Sequence, residues 1–172
     1  MLLHDHSVTV DHRVRTDTGN YMTEKVCISV NVQHIAPYIP QYQSDLSAGS
    51  DLHADIPVQL PLAPMQRQLI PTGVHIALPV HLEAQIRPRS GLSFKHGITV
   101  INSPGTIDPD YRGQIMVPVV NLSAHEYVIY PGDRIAQMVI APFVRAQFIA
   151  TPLQELTITD RGSNGFGSTG KK

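Results

Sequence analysis

Fourteen prolines, all between Pro37 and Pro152, punctuate a chain of 172 residues. An interior proline costs a helix about 3 kcal/mol, because it removes a hydrogen bond and clashes with the preceding turn. Even the stretch from Arg89 to Ser103, free of proline, contains Gly91 and Gly97. Long helices therefore have almost nowhere to form. Alternation of period 2 recurs instead, at Val26, Ile28, Val30 and Val32; at Val74, Ile76 and Leu78; at Leu82, Ala84 and Ile86; and at Ile115, Val117 and Val119. Each set is the pattern of a half-buried strand. Short strands separated by Pro/Gly turns predict an all-β sandwich, jelly roll or barrel with at most one short helix.

An apolar share of 42% supplies a core for one domain of ordinary size. Thirteen Lys and Arg against fourteen Asp and Glu leave a net charge of −1, without the footprint of a nucleic-acid binder. No apolar run approaches the ~20 residues of a membrane helix, and no signal-peptide core opens the chain. A single cysteine, Cys27, excludes an internal disulfide framework. The expectation is a cytoplasmic protein with neither nucleic acid nor membrane as partner. Residues 1–21 read as an extension without order apart from a Val8–Val10 strand, with Met22 as a natural start; 22–156 read as the domain and 157–172 as a mobile arm.

Five segments interrupt the strand pattern. Ala48-Gly-Ser-Asp-Leu52 sets one carboxylate among small residues, which also suits a tight turn. Pro88-Arg-Ser-Gly-Leu92 offers a five-donor guanidinium, a hydroxyl and an approachable backbone to an anion, or a helix capped by Ser90. In Asn102-Ser-Pro-Gly-Thr-Ile-Asp-Pro-Asp-Tyr-Arg-Gly113, a hairpin-like turn leads to Asp108 and Asp110, which strand alternation sets on one side and Tyr111 on the other. A carboxylate beside an anionic substrate can deprotonate water; an Asp-rich turn is the alternative. In Pro131-Gly-Asp-Arg-Ile-Ala-Gln-Met138, Asp133 and Arg134 can pair with each other, and Gln137 is an amide donor. Arg161-Gly-Ser-Asn-Gly-Phe-Gly-Ser-Thr-Gly170 combines phosphate-wrapping residues with one aromatic able to stack on a base. Six histidines, His34, His53, His75, His81, His96 and His125, lack metal-ligand spacing with carboxylates and read as surface or satisfied positions.

In order and chemistry these five segments resemble the motifs of the trimeric dUTPases, over roughly residues 26 to 170. The resemblance implies a jelly-roll-like β-barrel, assembled as a homotrimer with active sites shared between subunits. It implies hydrolysis of dUTP to dUMP and pyrophosphate with Mg²⁺, by in-line attack of water on the α-phosphorus. Asp108 is the implied general base. The resemblance further implies that Asn102, Thr106 and Ile107 surround the uracil, that Tyr111 packs on the deoxyribose and that Met116 lines the pocket. Arg89, Ser90, Gly91 and Gln137 meet the phosphates. On the arm, the resemblance implies that Phe166 covers the base, with Gly167 beside it, and that Arg161, Ser168 and Thr169 hold the terminal phosphate. No direct protein ligand to the metal is implied, and Asp51 stands behind the phosphate and metal contacts. Asn164 departs from the family pattern, which carries glycine there. The dCTP deaminases share the fold and resemble the second and third motifs, but Asp110-Tyr111 and the complete arm favour the hydrolase. A catalytically silent nucleotide sensor is the other alternative; it would be expected to lose Asp108 or the arm.

Overall fold

The computed structural model describes residues 7–15, 21–32 and 38–165, the first two stretches as backbone only. The strands in chain order are β1 (Ser7–Arg15), β2 (Tyr21–Val32), β3 (Gln41–Tyr42), β4 (Ser50–His53), β5 (Leu60–Leu62), β6 (Arg67–Pro71), β7 (Val74–Ala77) and β8 (Leu82–Arg87). They continue as β9 (Ile98–Val100), β10 (Gly105–Ile107), β11 (Met116–Asn121), β12 (Tyr127–Ile129) and β13 (Arg134–Pro142). Among the described residues, one α-helix, α1 (Ser90–His96), and a 3₁₀ turn at Leu153–Glu155 complete the elements. No helix among the described residues is long and apolar enough to cross a membrane.

All pairings are antiparallel, in four sheets: β1-β2-β7, β10-β8-β13-β4-β3, β6-β11-β9 and β12-β5. This is the predicted all-β, jelly-roll-like class, although the sheets do not close into one hydrogen-bonded ring. The alternation read from sequence sets the core. Val74, Ile76, Ala84, Ile86, Ile115, Val117 and Val119 are buried in one cluster, and Leu82 is buried as well. β1 includes the Val8–Val10 strand and pairs with β2 over nine register positions, from Ser7 opposite Ser29 to Arg15 opposite Tyr21. Nine consecutive pairs supply the ladder that side-chain patterning did not announce.

Asn121 is completely buried, and it is fully bonded. Its amide nitrogen donates to the carbonyls of Leu62 and His125 at 2.8 Å each, and its oxygen accepts from Ser123. A buried amide with those partners ties β5, β11 and the Ser123 turn together at little cost.

Candidate active site

Asp51 is the centre of the site. It lies on β4, 5% exposed, and each carboxylate oxygen meets a different arginine. Arg89 Nε stands 2.9 Å from Oδ1 and Arg134 Nη1 donates to Oδ2 at 3.2 Å. Arg89 Nη1 also donates to the Arg134 carbonyl at 3.2 Å. Two guanidiniums are thus anchored by one carboxylate and leave a net positive charge facing solvent, a ready receptor for phosphate.

The sheet register explains this convergence. Gln137 lies opposite Asp51 on β4 and Arg87 on β8, so β13 carries its residues between the first two motifs. Between Arg134 and Ala136 the register shifts, and Ile135 and Ala136 are both buried. A bulge of this kind offsets the alternation by one residue. Arg134 and Gln137, three apart in sequence, therefore reach the same face. Arg134 does not pair with Asp133, which instead accepts the Tyr130 backbone N–H at 2.8 Å. Sequence reasoning missed Arg134 because strict alternation sets it opposite Gln137.

Gln137 Nε2 donates to the Pro88 carbonyl at 2.9 Å and so fixes the turn that carries Arg89. A Cβ at Gly49 would collide with the Gln137 side-chain oxygen, which explains the small residue there. Arg89, not Ser90, is the helix N-cap residue, with no side-chain cap bond; Ser90 is the first helical residue and is exposed. A Cβ at Gly91 would meet nothing within 4 Å. The chain's own packing does not require glycine at that position.

These groups line an open cleft of about 630 Å³ together with Lys95 and Tyr127, which have no part in the sequence reading, and His96, which it reads as a surface or satisfied position. His96 and Tyr127 pack ring against ring with centroids 5.0 Å apart. His53, two residues from Asp51, packs on Tyr38 with its Nδ1 buried and unpartnered. Its pKa is lowered, first by burial, then by Arg134 and Arg89 against the opposing pull of Asp51.

The third motif stands elsewhere. Gly105–Ile107 pairs with β8 while Ile98–Val100 pairs with β11, so the turn from Asn102 joins two sheets and is not a β-hairpin. The Asn102 amide nitrogen lies 3.2 Å from where a Gly105 Cβ would be, folded back over that residue. Thr106 is exposed and Ile107 packs on the core. The strand ends at Ile107. Tyr111 N then donates to the Asp108 carbonyl at 3.1 Å, so Asp108 to Tyr111 form a turn and strand alternation does not set Asp108 and Asp110 on one side. Asp108 and Tyr111 are exposed, and Met116 opens β11 half-buried. Ile107 faces Ala84, five residues before Arg89, so Asp108 lies on the order of 15 Å along the sheet from the arginine cluster. Within one chain the candidate base and the phosphate cradle do not meet.

Arg161 is exposed and bonds locally, its Nε donating to the Asn164 carbonyl at 2.9 Å. Asn164 does not take positive φ; Gly162 does, at 52°. Phe166, Gly167, Ser168 and Thr169 lie outside the described residues.

A model of the dUTPase family matches residues 36–170. The chain belongs to the dUTPase family. A protein of Cytophaga hutchinsonii named deoxyuridine 5′-triphosphate nucleotidohydrolase is 58% identical over 133 residues, covering 77% of this chain and 85% of that relative. The resemblance carried by the five motifs is borne out, and with it the enzyme class, dUTP nucleotidohydrolase. The fold agrees with solved dUTPases at lower identity. The Staphylococcus bacteriophage 80alpha enzyme, determined with dUpNHpp, has a TM-score of 0.75 at 24% identity, covering 83% of this chain and 98% of that one. The enzyme of phage phi11 of S. aureus, described with a structural Mg(II) ion, has a TM-score of 0.67 at 21% identity, covering 75% and 99%.

Proposed function

We propose that this chain hydrolyses dUTP to dUMP and pyrophosphate in the cytoplasm, limiting uracil incorporation into DNA and supplying dUMP for thymidylate synthesis. The observation that carries the reading is the pair of arginines, Arg89 and Arg134, clamped on one buried carboxylate at the mouth of a cleft. Preorganised cations cost no rearrangement when charge builds on a departing pyrophosphate.

Asp108 takes a proton from water as the water oxygen bonds to the α-phosphorus. The bond from that phosphorus to the α–β bridging oxygen breaks, and pyrophosphate departs in line with the attack. Arg89, Ser90, Gly91 and Gln137 hold the phosphates; Asn102, Thr106, Ile107 and Met116 enclose the uracil; Tyr111 excludes a 2′-hydroxyl. Arg161 and Phe166 to Thr169 close over the bound nucleotide, residues 157–172 acting as an arm on a domain spanning 22–156.

Asp51 has both oxygens engaged by arginine, which leaves it a poor ligand for a divalent cation. Mg²⁺ prefers phosphate oxygens and water, so it fits here as part of the substrate complex, held through the residues that hold the phosphates. Bound there, Mg²⁺ neutralises charge on the triphosphate.

Two features support a shared-site homotrimer. The base and the cradle are far apart in one chain. Beyond Phe143, the hydrogen bonds of the described segment run within it, yet it exposes Phe148 at 95% and Ile158 at 97%. Apolar side chains held away from their own core invite a second copy.

The test incubates the protein and Mg²⁺ with dUTP, dCTP, dTTP and UTP separately and resolves all products. Release of dUMP and pyrophosphate from dUTP is expected. Rejection of cytosine by unmatched hydrogen bonds should reach ~10⁴–10⁵-fold, exceeding rejection of the thymine methyl. A dTTP rate within tenfold of dUTP would contradict a tight uracil pocket. Deamination of dCTP, or binding without turnover, would overturn the hydrolase reading.

A further inference from the structure

The turn that begins at Asp108 is held by a side chain from another part of the fold. His75 Nδ1, on β7, lies 3.0 Å from the carbonyl oxygen of Arg112. The turn itself is laced internally. Arg112 Nη1 donates to the carbonyls of Pro109 at 2.7 Å and Tyr111 at 2.8 Å, and the Tyr111 hydroxyl donates to the Gln114 carbonyl at 3.0 Å. The Tyr111 ring also fills the space where a Gly113 Cβ would stand. Residues 108–114 are therefore tied to one another within the turn. Their downstream attachment is Ile115 N to the Val74 carbonyl at 2.8 Å, next to His75 in sequence.

We infer that His75 is a positioning residue of the reaction proposed above: by holding the Arg112 carbonyl it sets where Asp108 meets the water and where Tyr111 meets the sugar. A carbonyl only accepts, so the proton of this bond sits on Nδ1. The neutral Nδ1–H tautomer and the cation both satisfy it. The bond thus demands a donor at the Nδ1 position rather than a charge. Asparagine offers an amide donor at nearly that distance from the backbone, whereas phenylalanine keeps the ring and loses the donor. A misplacement of about 1 Å far from the chemistry can cost on the order of 10²-fold in rate.

The inference rests on the proposed dUTPase chemistry, so the experiment includes a variant that addresses that chemistry alone. kcat and KM for dUTP, the preference for dUTP over UTP, and the melting temperature are measured for the wild-type protein, His75→Phe, His75→Asn and Asp108→Asn. His75→Phe is expected to lower kcat about 10- to 100-fold with KM changed less than about threefold, and to narrow the dUTP/UTP preference, with a melting transition retained. His75→Asn is expected to restore most of both. An unchanged kcat and preference in His75→Phe, with Asp108→Asn inactive, would overturn the inference and leave the function standing. Equal losses in His75→Phe and His75→Asn would also overturn it, since the donor would then not be what matters. An active Asp108→Asn would instead strike at the proposed chemistry.

Discussion

Gly91 separates what folding needs from what function needs. It stands in the first turn of α1, where alanine is favoured by roughly 0.5–1 kcal/mol, and its Cβ would meet no other group of the chain. Gly91→Ala should leave the melting temperature equal or slightly raised while KM for dUTP rises, because a methyl group would occupy the space through which a phosphate approaches the backbone. Calorimetry beside steady-state kinetics checks this; an unchanged KM would remove Gly91 from the phosphate contacts. Gly97 is the opposite case. Its φ is 69° and a Cβ would lie 2.8 Å from the Ser123 backbone nitrogen, so glycine there serves the fold. Both glycines look alike in sequence, and only the neighbours tell them apart.

β4 carries the electrostatics of the site on one face, Asp51 and His53, and packs Leu52 into the core on the other. The pKa of His53 is lowered chiefly by burial, so the folded protein binds its proton less readily than the unfolded chain does. Stability from this group is present above about pH 6.5, the ordinary histidine value, and is lost as pH falls below it. Melting temperatures at pH 7.5 and 5.5 should differ more for the wild-type protein than for His53→Asn; parallel pH profiles would contradict the assignment. At this scale the sequence was legible wherever alternation alone decides. Leu82, Ala84 and Ile86 are buried as their spacing requires. What it concealed depends on long-range register. The bulge at Ile135 turns Arg134 toward Asp51, and the crossing from β9 to β10 replaces a local hairpin with a junction between sheets. Neither leaves a mark on a period-2 pattern. The five motifs pointed to the family, while the separation along the sheet between the cluster of Asp51, Arg89 and Arg134 and the distant Asp108 emerges only when strand order is known.

For the molecule as a whole, a single copy holds the arginine cluster and the Asp108 turn on the order of 15 Å apart, whereas the proposed mechanism has one nucleotide contact both. In the proposed homotrimer, symmetric assembly would bring the cradle of one copy to the turn of another, with the exposed apolar segment beyond Phe143 as surface for it. Subunit mixing tests this most directly. Asp108→Asn and Arg89→Ala chains are each nearly inactive alone in this account. Unfolded together in equal amounts and refolded, they form mixed assemblies in which about a quarter of the sites combine an intact Asp108 from one copy with an intact Arg89 from another. The predicted result is recovery of about a quarter of the wild-type rate of pyrophosphate release from dUTP. Activity no greater than the sum of the two separate variants, from assemblies shown by native mass spectrometry to be mixed trimers, would contradict a site shared between subunits.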